Sequence, residues 1–287
     1  MEYPWRGLAA FVMRGRLQAS AVAALVSALP LLTWLGASIV ALVVLRRGNK
    51  EGLLVFLWAF LPLVLMYQNG GDSSGLIALL GAFFTAVVLR LSVSWVVTLY
   101  AAVVAAVVGS LVFMQLSEAI LTAFVEWYVD VMQGLAADTG GPVVTSAAGQ
   151  RQAVSYLAMG QGYMMVLALM LARWWQSVLY NPGGFKQEVQ QTRLTPKASL
   201  PLVLVMAGCL VTDGFGTWVG VARIPFVVIG SGLVHWILGS QNRSNQWFVM
   251  YYVTLVMFFQ LASAALVVLV IADGFIDLRQ RIQSRED

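Results

Sequence analysis

Four uncharged polar residues stand inside or at the edge of long apolar stretches, where they could contact a ligand. Polar groups within a bilayer tend to face the interior of a helix bundle. An apolar cavity with a few polar groups is the usual form of a small-molecule site. The sequence therefore predicts a candidate cavity lined by Gln115, Gln161, Gln260 and His235. A structural role is the alternative for His235, because no partner for a proton relay is apparent.

Two charged residues, Asp213 and Arg223, bracket the connection between two of the later apolar stretches. A charge inside a bilayer costs about 2.5–3.5 kcal/mol on insertion scales, so charged groups there face the bundle interior and pair. We expect Asp213 and Arg223 to form a candidate ion pair. The pair would be either a structural clasp at the outer surface or part of a functional site.

The segment 117–150 contains four acidic residues and neither lysine nor arginine. Glu126 and Asp130 lie one helical turn apart, where a carboxylate pair could bind a cation or a basic group of a partner. A solvated acidic face is the alternative interpretation. Apolar residues recur here at spacings of three or four, which predicts an amphipathic α-helix with one apolar face, formed by Leu116, Ile120, Phe124, Tyr128, Val131 and Leu135.

The most distinctive local sequence runs from Arg173 to Leu194. Its Asn-Pro-Gly-Gly run at 181–184 is a strong turn signal, and a short amphipathic helix is expected to follow. One interpretation is a helix-ending turn beside an interfacial anchor of cationic and aromatic residues at 173–175. The other is a cytoplasmic partner surface, formed by Arg173, Gln176, Tyr180, Asn181, Phe185, Glu188 and Arg193.

Two motifs of known enzyme classes are missing from the chain. The P-loop pattern and HExxH do not occur. One cysteine and one histidine cannot supply a four-ligand zinc site or an internal disulfide. We therefore expect no enzyme activity, no cofactor and no metal. The basic residues lie in short loops between apolar stretches, a pattern of membrane orientation and not of nucleic-acid binding.

Composition identifies the elements that must position these residues. The 287 residues are 60% hydrophobic and only 10% charged, against about 25% charged in soluble domains. A span needs about 20 apolar residues. The expected fold is an all-α, polytopic transmembrane helix bundle with about eight membrane segments, at 18–45, 52–67, 75–91, 93–116, 153–175, 198–221, 222–239 and 246–278.

Charge asymmetry orients the segments, with the N-terminus in the cytoplasm and the acidic segment outside. Basic residues flank both ends of 18–45. Pro30 removes a helical hydrogen bond near its middle, so we expect a hairpin of two short helices. A single proline-kinked helix is the alternative. The segment 246–278 is the better candidate for a second doubled or re-entrant segment, and a break at 213–216 is the alternative.

These expectations divide the chain into five parts. They are a cytoplasmic interfacial segment 1–17, an N-terminal transmembrane bundle 18–116, an external acidic helix and loop 117–152, a C-terminal transmembrane bundle 153–278 with a cytoplasmic loop 176–197, and a charged tail 279–287.

The 173–194 run resembles the cytoplasmic signature of the YybS-like family of predicted bacterial membrane proteins. The sequence Gly-Leu-Val-His at 232–235 resembles a later element of that family, and the end of the last span is similar too, with Asp273, Asp277 and Arg279. The resemblance implies a multi-pass protein of the bacterial inner membrane. The family is distantly similar to the substrate-binding components of energy-coupling-factor transporters. Those components usually have six spans, fewer than expected here.

Two functions are consistent with these observations. The first is a non-catalytic component that binds or transports a small molecule in the bilayer together with a membrane protein partner. The second is an interaction or assembly subunit of a larger membrane complex, without transport. A hollow bundle around the polar residues would favour the first, and a solid core would favour the second.

Overall fold

A computed structural model describes residues 4–140 and 144–283. Fifteen α-helices and no strand are found in this part of the chain, which confirms the all-α fold. Residues 1–3 and 284–287, at the outer ends of the predicted interfacial segment and tail, lie outside the described residues. The helices are α1 Pro4–Val12, α2 Arg16–Ser27, α3 Thr33–Arg47, α4 Asn49–Gly70, α5 Ser74–Ser92, α6 Trp95–Leu116, α7 Glu118–Thr139, α8 Ser146–Tyr180, α9 Gly184–Gln191, α10 Pro196–Val211, α11 Val219–Ala222, α12 Ile224–Ser240, α13 Asn245–Met257, α14 Phe259–Ile276 and α15 Leu278–Gln283.

Six helical segments are long and apolar enough to cross a membrane: Pro30–Arg47, α4, α5, α6, α8 and α14. Two bent pairs raise the number to eight if each pair makes one span. These are α9 with α10, bent by 69°, and Gly216–Ala222 with α12, bent by 50°. The apolar helices are those of a membrane-embedded, multi-pass protein, with a span number close to the expected eight.

The segment 18–45 forms the predicted hairpin. A 3-10 turn, Pro30–Leu32, separates α2 from α3. At the other end of the hairpin, Arg47 Nη2 donates to the Met13 carbonyl over 2.5 Å. Arg16 Nη2, in the first turn of α2, pairs with Glu51 Oε1 in the first turn of α4, also over 2.5 Å. The start of α2 and the end of α3 therefore lie at the same end of the bundle.

The hairpin depends on a glycine. A Cβ atom on Gly36 would lie 2.1 Å from Ser27 Oγ and 3.3 Å from the Ala23 carbonyl oxygen. Because a methyl group would force α2 and α3 apart, we expect Gly36→Ala to lower the free energy of unfolding by about 1–3 kcal/mol. Equilibrium unfolding in mixed detergent micelles measures the change.

Gly208→Ala in α10 is the matched control, because a Cβ there would meet no atom within 4 Å. It should be neutral or stabilise by roughly 0.5–1 kcal/mol through the unfolded chain. Equal losses in the two variants would show that close approach of α2 and α3 is not what Gly36 provides.

The bundle has two ends that differ in chemistry. At one end, Leu45 O accepts from Arg90 Nη1 over 2.7 Å and from Gln176 Nε2 over 3.3 Å. This arginine end also contains Arg173 and Arg193, which line one pocket with Arg90. At the opposite end, the α7 end, Tyr67 Oη donates to the Leu116 carbonyl over 3.0 Å and Ser73 Oγ lies 2.8 Å from Ser117 Oγ.

The predicted helix in the acidic segment is α7, and it packs against the first turns of α8. With 35 residues, α8 is about 52 Å long, well beyond a ~30 Å hydrocarbon core. Its first turns continue beyond the apolar stretch, within the segment predicted as an external loop. Tyr128 Oη donates to Gln152 Oε1 over 2.7 Å. Burial raises the pKa of the Tyr128 hydroxyl, so it remains a neutral donor.

Most of the apolar face predicted for α7 does not pack against α8. Its residues Ile120, Phe124, Val131 and Leu135 are exposed. The helix instead buries a neighbouring stripe against α8, formed by Leu121, Val125, Val129 and Ala136. Apolar residues occupy both stripes, so periodicity predicted the helix but could not identify the face that finds a partner.

The last segment is divided into two helices that double back, α13 and α14, and the chain also breaks at the alternative position, between α10 and the 3-10 turn Gly216–Trp218. Arg223 contacts Gln260 at the start of α14, whereas a Cβ on Gly230 would contact Leu266 and Val270 further along. Helices α12 and α14 therefore run in the same direction, and α13 must return between them. Both ends of the α13–α14 segment lie toward the arginine end, and its tip is at Phe258.

The N-terminal helix is partly inserted into the bundle. In α1, Ala9 and Val12 are fully buried, whereas Phe11 is 42% exposed. Within the predicted interfacial segment 1–17, α1 therefore packs some of its apolar residues against the protein and leaves others exposed. It contacts α2 and α8 and places Met13 beside Arg47.

Candidate functional site

A cleft of about 720 Å³ opens near the α7 end, between the α2–α3 turn, the α4–α5 connection, α7 and α8. We call it the Gln161 cleft. Its walls are mostly apolar, and Asp72 Oδ1 accepts from the Ser74 amide over 2.8 Å at its rim. The lining includes the apolar residues Trp34, Leu63, Met66, Phe124, Tyr156 and Met164 and the polar residues Thr33, Asp72, Ser74 and Gln161.

Gln161 is the polar residue of the cleft wall that the fold does not satisfy. The residue is only 7% exposed, and neither amide atom has a hydrogen-bond partner among the described residues. Gly109 on α6 leaves room for it, because a Cβ there would lie 3.0 Å from Gln161 Oε1. Leaving a buried amide unsatisfied costs about 1–3 kcal/mol. A modest side-chain rotation would offer its donors and acceptor to a bound molecule.

The cleft continues sideways along the bundle. Trp34 and Met164 also line a neighbouring groove of about 520 Å³, which follows α8 past Leu167 and Leu171 to Trp174. Leu167 is 58% exposed, so this groove faces the surroundings of the bundle and not its core. The combined shape can accept a molecule with a polar part near Gln161 and an apolar part along α8.

The other three predicted cavity residues lie elsewhere. Gln115 is exposed on the last turn of α6, and Gln260 is exposed at the start of α14. His235 Nε2 lies 2.8 Å from Tyr252 Oη and packs against the Phe248 ring. A polar residue within an apolar stretch indicates depth in the bilayer, but helix rotation decides which neighbours it meets. That rotation cannot be read from hydropathy.

The predicted pair of Asp213 and Arg223 does not form among the described residues. Asp213 is exposed in the connection after α10. Arg223 Nη1 instead donates to Gln260 Oε1 over 3.0 Å and to Ser263 Oγ over 3.3 Å. The α13–α14 segment supplies these partners, and its path could not be predicted from charge alone.

The predicted partner surface at 173–193 is engaged largely within the protein. Arg173 pairs with Glu188, whose Oε2 also accepts from Trp95 Nε1 over 3.4 Å. The Arg46 guanidinium stands 3.9 Å from the centre of the Tyr180 ring. Further members also have internal contacts: Gln176 with Leu45, Asn181 with Gly184, Phe185 with Trp95 and Arg193 with Asp277.

A buried carboxylate at the end of α14 was not singled out as a site by the sequence. The Asp273 side chain is 3% exposed, and its Oδ2 lies 2.5 Å from Arg279 Nη1. Oδ1 accepts from the Leu278 amide over 3.0 Å. Arg193 Nη2 donates to the Asp273 carbonyl, and its Nη1 pairs with Asp277 Oδ2, both over 2.5 Å. Acids and arginines alternating just after an apolar stretch were the available signal.

These contacts hold the α9–α10 connection against α14. Besides binding Asp273, Arg279 donates to the carbonyls of Gln190 and Thr192, over 3.0 and 3.1 Å. We call Arg193, Asp273, Asp277 and Arg279 the carboxylate cluster. Its groups satisfy one another, so its chemistry is structural.

A polar pocket of about 720 Å³ lies beside this cluster at the arginine end. Arg90, Arg173 and Arg193 contribute three positive charges to its lining, and Glu188 contributes one negative charge. Each of these guanidinium groups already donates to protein acceptors. At the rim, Val93 has a φ of 51°, a left-handed conformation that is unfavourable for a β-branched residue.

Glu126 and Asp130 are exposed on α7, as a solvated face requires. Within the ranges 4–140 and 144–283, no group of three or more potential metal ligands comes together. Glu126 and Asp130 thus present two exposed carboxylates, one helical turn apart, on the side of α7 away from α8.

Comparisons with protein-family models, with curated proteins and with solved structures found no match for the chain. The function must therefore be inferred from the geometry of the sites themselves.

Proposed function

We propose that this protein is a non-catalytic membrane component that binds a small molecule in the Gln161 cleft and passes it on with a membrane protein partner. The observation that carries the proposal is Gln161 itself, a buried amide without a partner on the wall of a 720 Å³ cleft. Apolar pockets with a few directed polar groups are typical of ligand sites. Without a ligand, the buried amide lowers the stability of the fold and no hydrogen bond compensates for this loss.

The lining indicates the chemical class of the ligand. Aromatic and methionine side chains dominate, and Asp72 is the one charged residue among those lining the cleft. An uncharged or weakly cationic molecule with an apolar part and one hydrogen-bonding group fits best. The side groove along α8 favours a molecule that enters from the bilayer or remains partly in it.

Orientation and energy source complete the proposal. The positive-inside rule favours a cytoplasmic arginine end, a cleft that opens outward and a location in a bacterial inner membrane. Since the sequence lacks a P-loop, the energy for movement would come from the partner or from a gradient. The resemblance to the YybS-like family and to energy-coupling-factor components supports this division of labour.

The decisive variant is Gln161→Leu, purified in mild detergent beside the native protein. We expect mass spectrometry to find a co-purified small molecule with the native protein and at least about tenfold less of it with the variant, a loss of roughly 1.4 kcal/mol in binding. The ligand-free variant should be more stable by about 1–3 kcal/mol, since an unsatisfied amide is removed.

Gln115→Leu is the control, because Gln115 is exposed on α6 and lies outside the cleft. It should change neither quantity. Equal amounts of the molecule in all three proteins, or none in the native protein, would refute ligand binding at Gln161.

The second candidate function, an assembly subunit without transport, is favoured by one observation. Part of the α7 surface away from α8 is apolar, with Trp127 60% exposed and Leu135 53% exposed, although α7 is not among the candidate spans. An extramembrane apolar stripe of this kind marks a protein interface. In the same purification, a stoichiometric protein partner without any small molecule would establish this alternative.

A further inference from the structure

Arg223 occupies a break in a candidate span. It separates α11 from α12, where the chain bends by 50°. The next residue, Ile224, meets Gly162 of α8, and a Cβ on Gly162 would also lie 3.0 Å from Ala106 Cβ, near the middle of α6. Gly162 is likewise central in α8's apolar stretch 153–175. Arg223 thus starts close to the mid-depth of the bundle.

The positive charge of Arg223 has no counter-charge. No carboxylate within the described ranges pairs with it, and its protein partners are the neutral side chains of Gln260 and Ser263, both bound by Nη1. A guanidinium has five N–H donors, so Nε and Nη2 are left without acceptors from the described residues. An ionised group inside a bilayer normally pairs and normally marks a functional site.

A groove of about 270 Å³ gives access to this charge from the bilayer. It runs between α10 and α14, and Arg223 contributes to its lining. Leu210 is 69% exposed at the groove edge. The remaining lining is apolar and consists of Val203, Met206, Ala207, Leu210, Val219, Ala264, Val267 and Ile271.

One backbone feature strengthens the positive potential at this place. The 17-residue helix α12 begins at Ile224, so the positive end of its dipole lies next to Arg223. The α13–α14 tip lies at the same depth. Broken helices that meet at mid-depth are the usual way in which transporters hold charged groups within a membrane.

We propose that Arg223 and the α10–α14 groove bind a single-chain amphiphile with one negative charge, a long-chain carboxylate. The free edge of the guanidinium, formed by Nε–H and Nη2–H, matches one carboxylate in bidentate geometry. A phosphate monoester would bring a second charge that the site cannot neutralise. The groove is slightly smaller than the ~300–1,000 Å³ of sites for drug-sized ligands, which favours one chain over a diacyl lipid. This site is separate from the Gln161 cleft and does not depend on the function proposed for it.

The test uses the full-length protein in dodecyl maltoside micelles, with dodecanoate as the probe and 1-dodecanol as its uncharged match. The thermal unfolding midpoint is followed by tryptophan fluorescence. Dodecanoate should raise the midpoint of the native protein in a saturable way, and dodecanol should not. In Arg223→Gln, the dissociation constant for dodecanoate should rise at least about tenfold. Without probe, the midpoint of this variant should equal or exceed the native one, because a charge without a counter-charge has been removed from a membrane-embedded bundle.

Ala264→Phe provides the second variant, since it fills the groove and leaves Arg223 in place. It should also abolish the dodecanoate effect, whereas Arg243→Gln, in the exposed turn after α12, should preserve it. The proposal fails if Arg223→Gln retains the effect, or if its ligand-free midpoint falls, which would assign Arg223 a structural role. Equal stabilisation by dodecanol would overturn the proposal, because the negative charge would then not matter. Equal stabilisation by acetate would show that the chain does not matter, and equal stabilisation by dodecyl phosphate would show that the site does not select a single negative charge.

Discussion

Asp273→Ala is expected to lower the free energy of unfolding by about 3–5 kcal/mol, because it leaves buried positive charge without its carboxylate. The Asp273 side chain is 3% exposed and pairs with Arg279, whose side chain is itself only 13% exposed. The Leu278 amide would lose its acceptor as well. Equilibrium unfolding in mixed detergent micelles measures the loss.

Glu51→Ala provides the matched control for this prediction. Glu51 pairs with Arg16, whose side chain is 65% exposed, so its removal should cost no more than about 1 kcal/mol. Adding Arg279→Met to Asp273→Ala should recover part of the loss, since the unpaired charge is then gone too. If Asp273→Ala and Glu51→Ala cost the same, the carboxylate cluster does not hold α9–α10 against α14.

Trp175→Ala is expected to produce a loss of similar size, about 3–5 kcal/mol, because it empties the volume of a fully buried indole. Trp175 has no exposed surface and belongs to the core that helices α1 to α5 form with α8. The sequence placed it in an interfacial anchor with Arg173 and Trp174. An indole at the membrane interface would lose much less on truncation.

The control is Trp58→Ala on α4, where the indole is 53% exposed. That variant should stay within about 1 kcal/mol of the native protein, since surface substitutions seldom change stability further. The same unfolding measurement applies to both. A Trp175 variant as stable as the Trp58 variant would restore the interfacial interpretation.

Charge and proline placement predicted the path of the chain well. Arginines on both flanks of 18–45, with Pro30 between them, predicted the hairpin that α2 and α3 form. The length of 246–278, with Gln260 near its centre, predicted that this segment doubles back, as α13 and α14 do. Both features follow from the cost of moving charges across a bilayer, a property of the sequence and not of packing.

Contacts between particular side chains could not be predicted in the same way. The rotation of each helix about its axis decides whether a glutamine faces a cleft, like Gln161, or the surroundings, like Gln115. Hydropathy is nearly uniform around these helices, so it does not fix that rotation. The prediction of an Asp213–Arg223 pair is wrong for a related reason, because Gln260 at the start of α14 lies beside Arg223 and accepts its hydrogen bond.

The shortness of α2 has a consequence for the lipid around the protein. With 12 residues, α2 is about 18 Å long, far below the ~30 Å of an average hydrocarbon core. Leu17 and Leu25 on its outer face are 83% and 67% exposed. Hydrophobic mismatch of this size is relieved by a locally thinner bilayer. The protein would therefore thin the membrane beside α2.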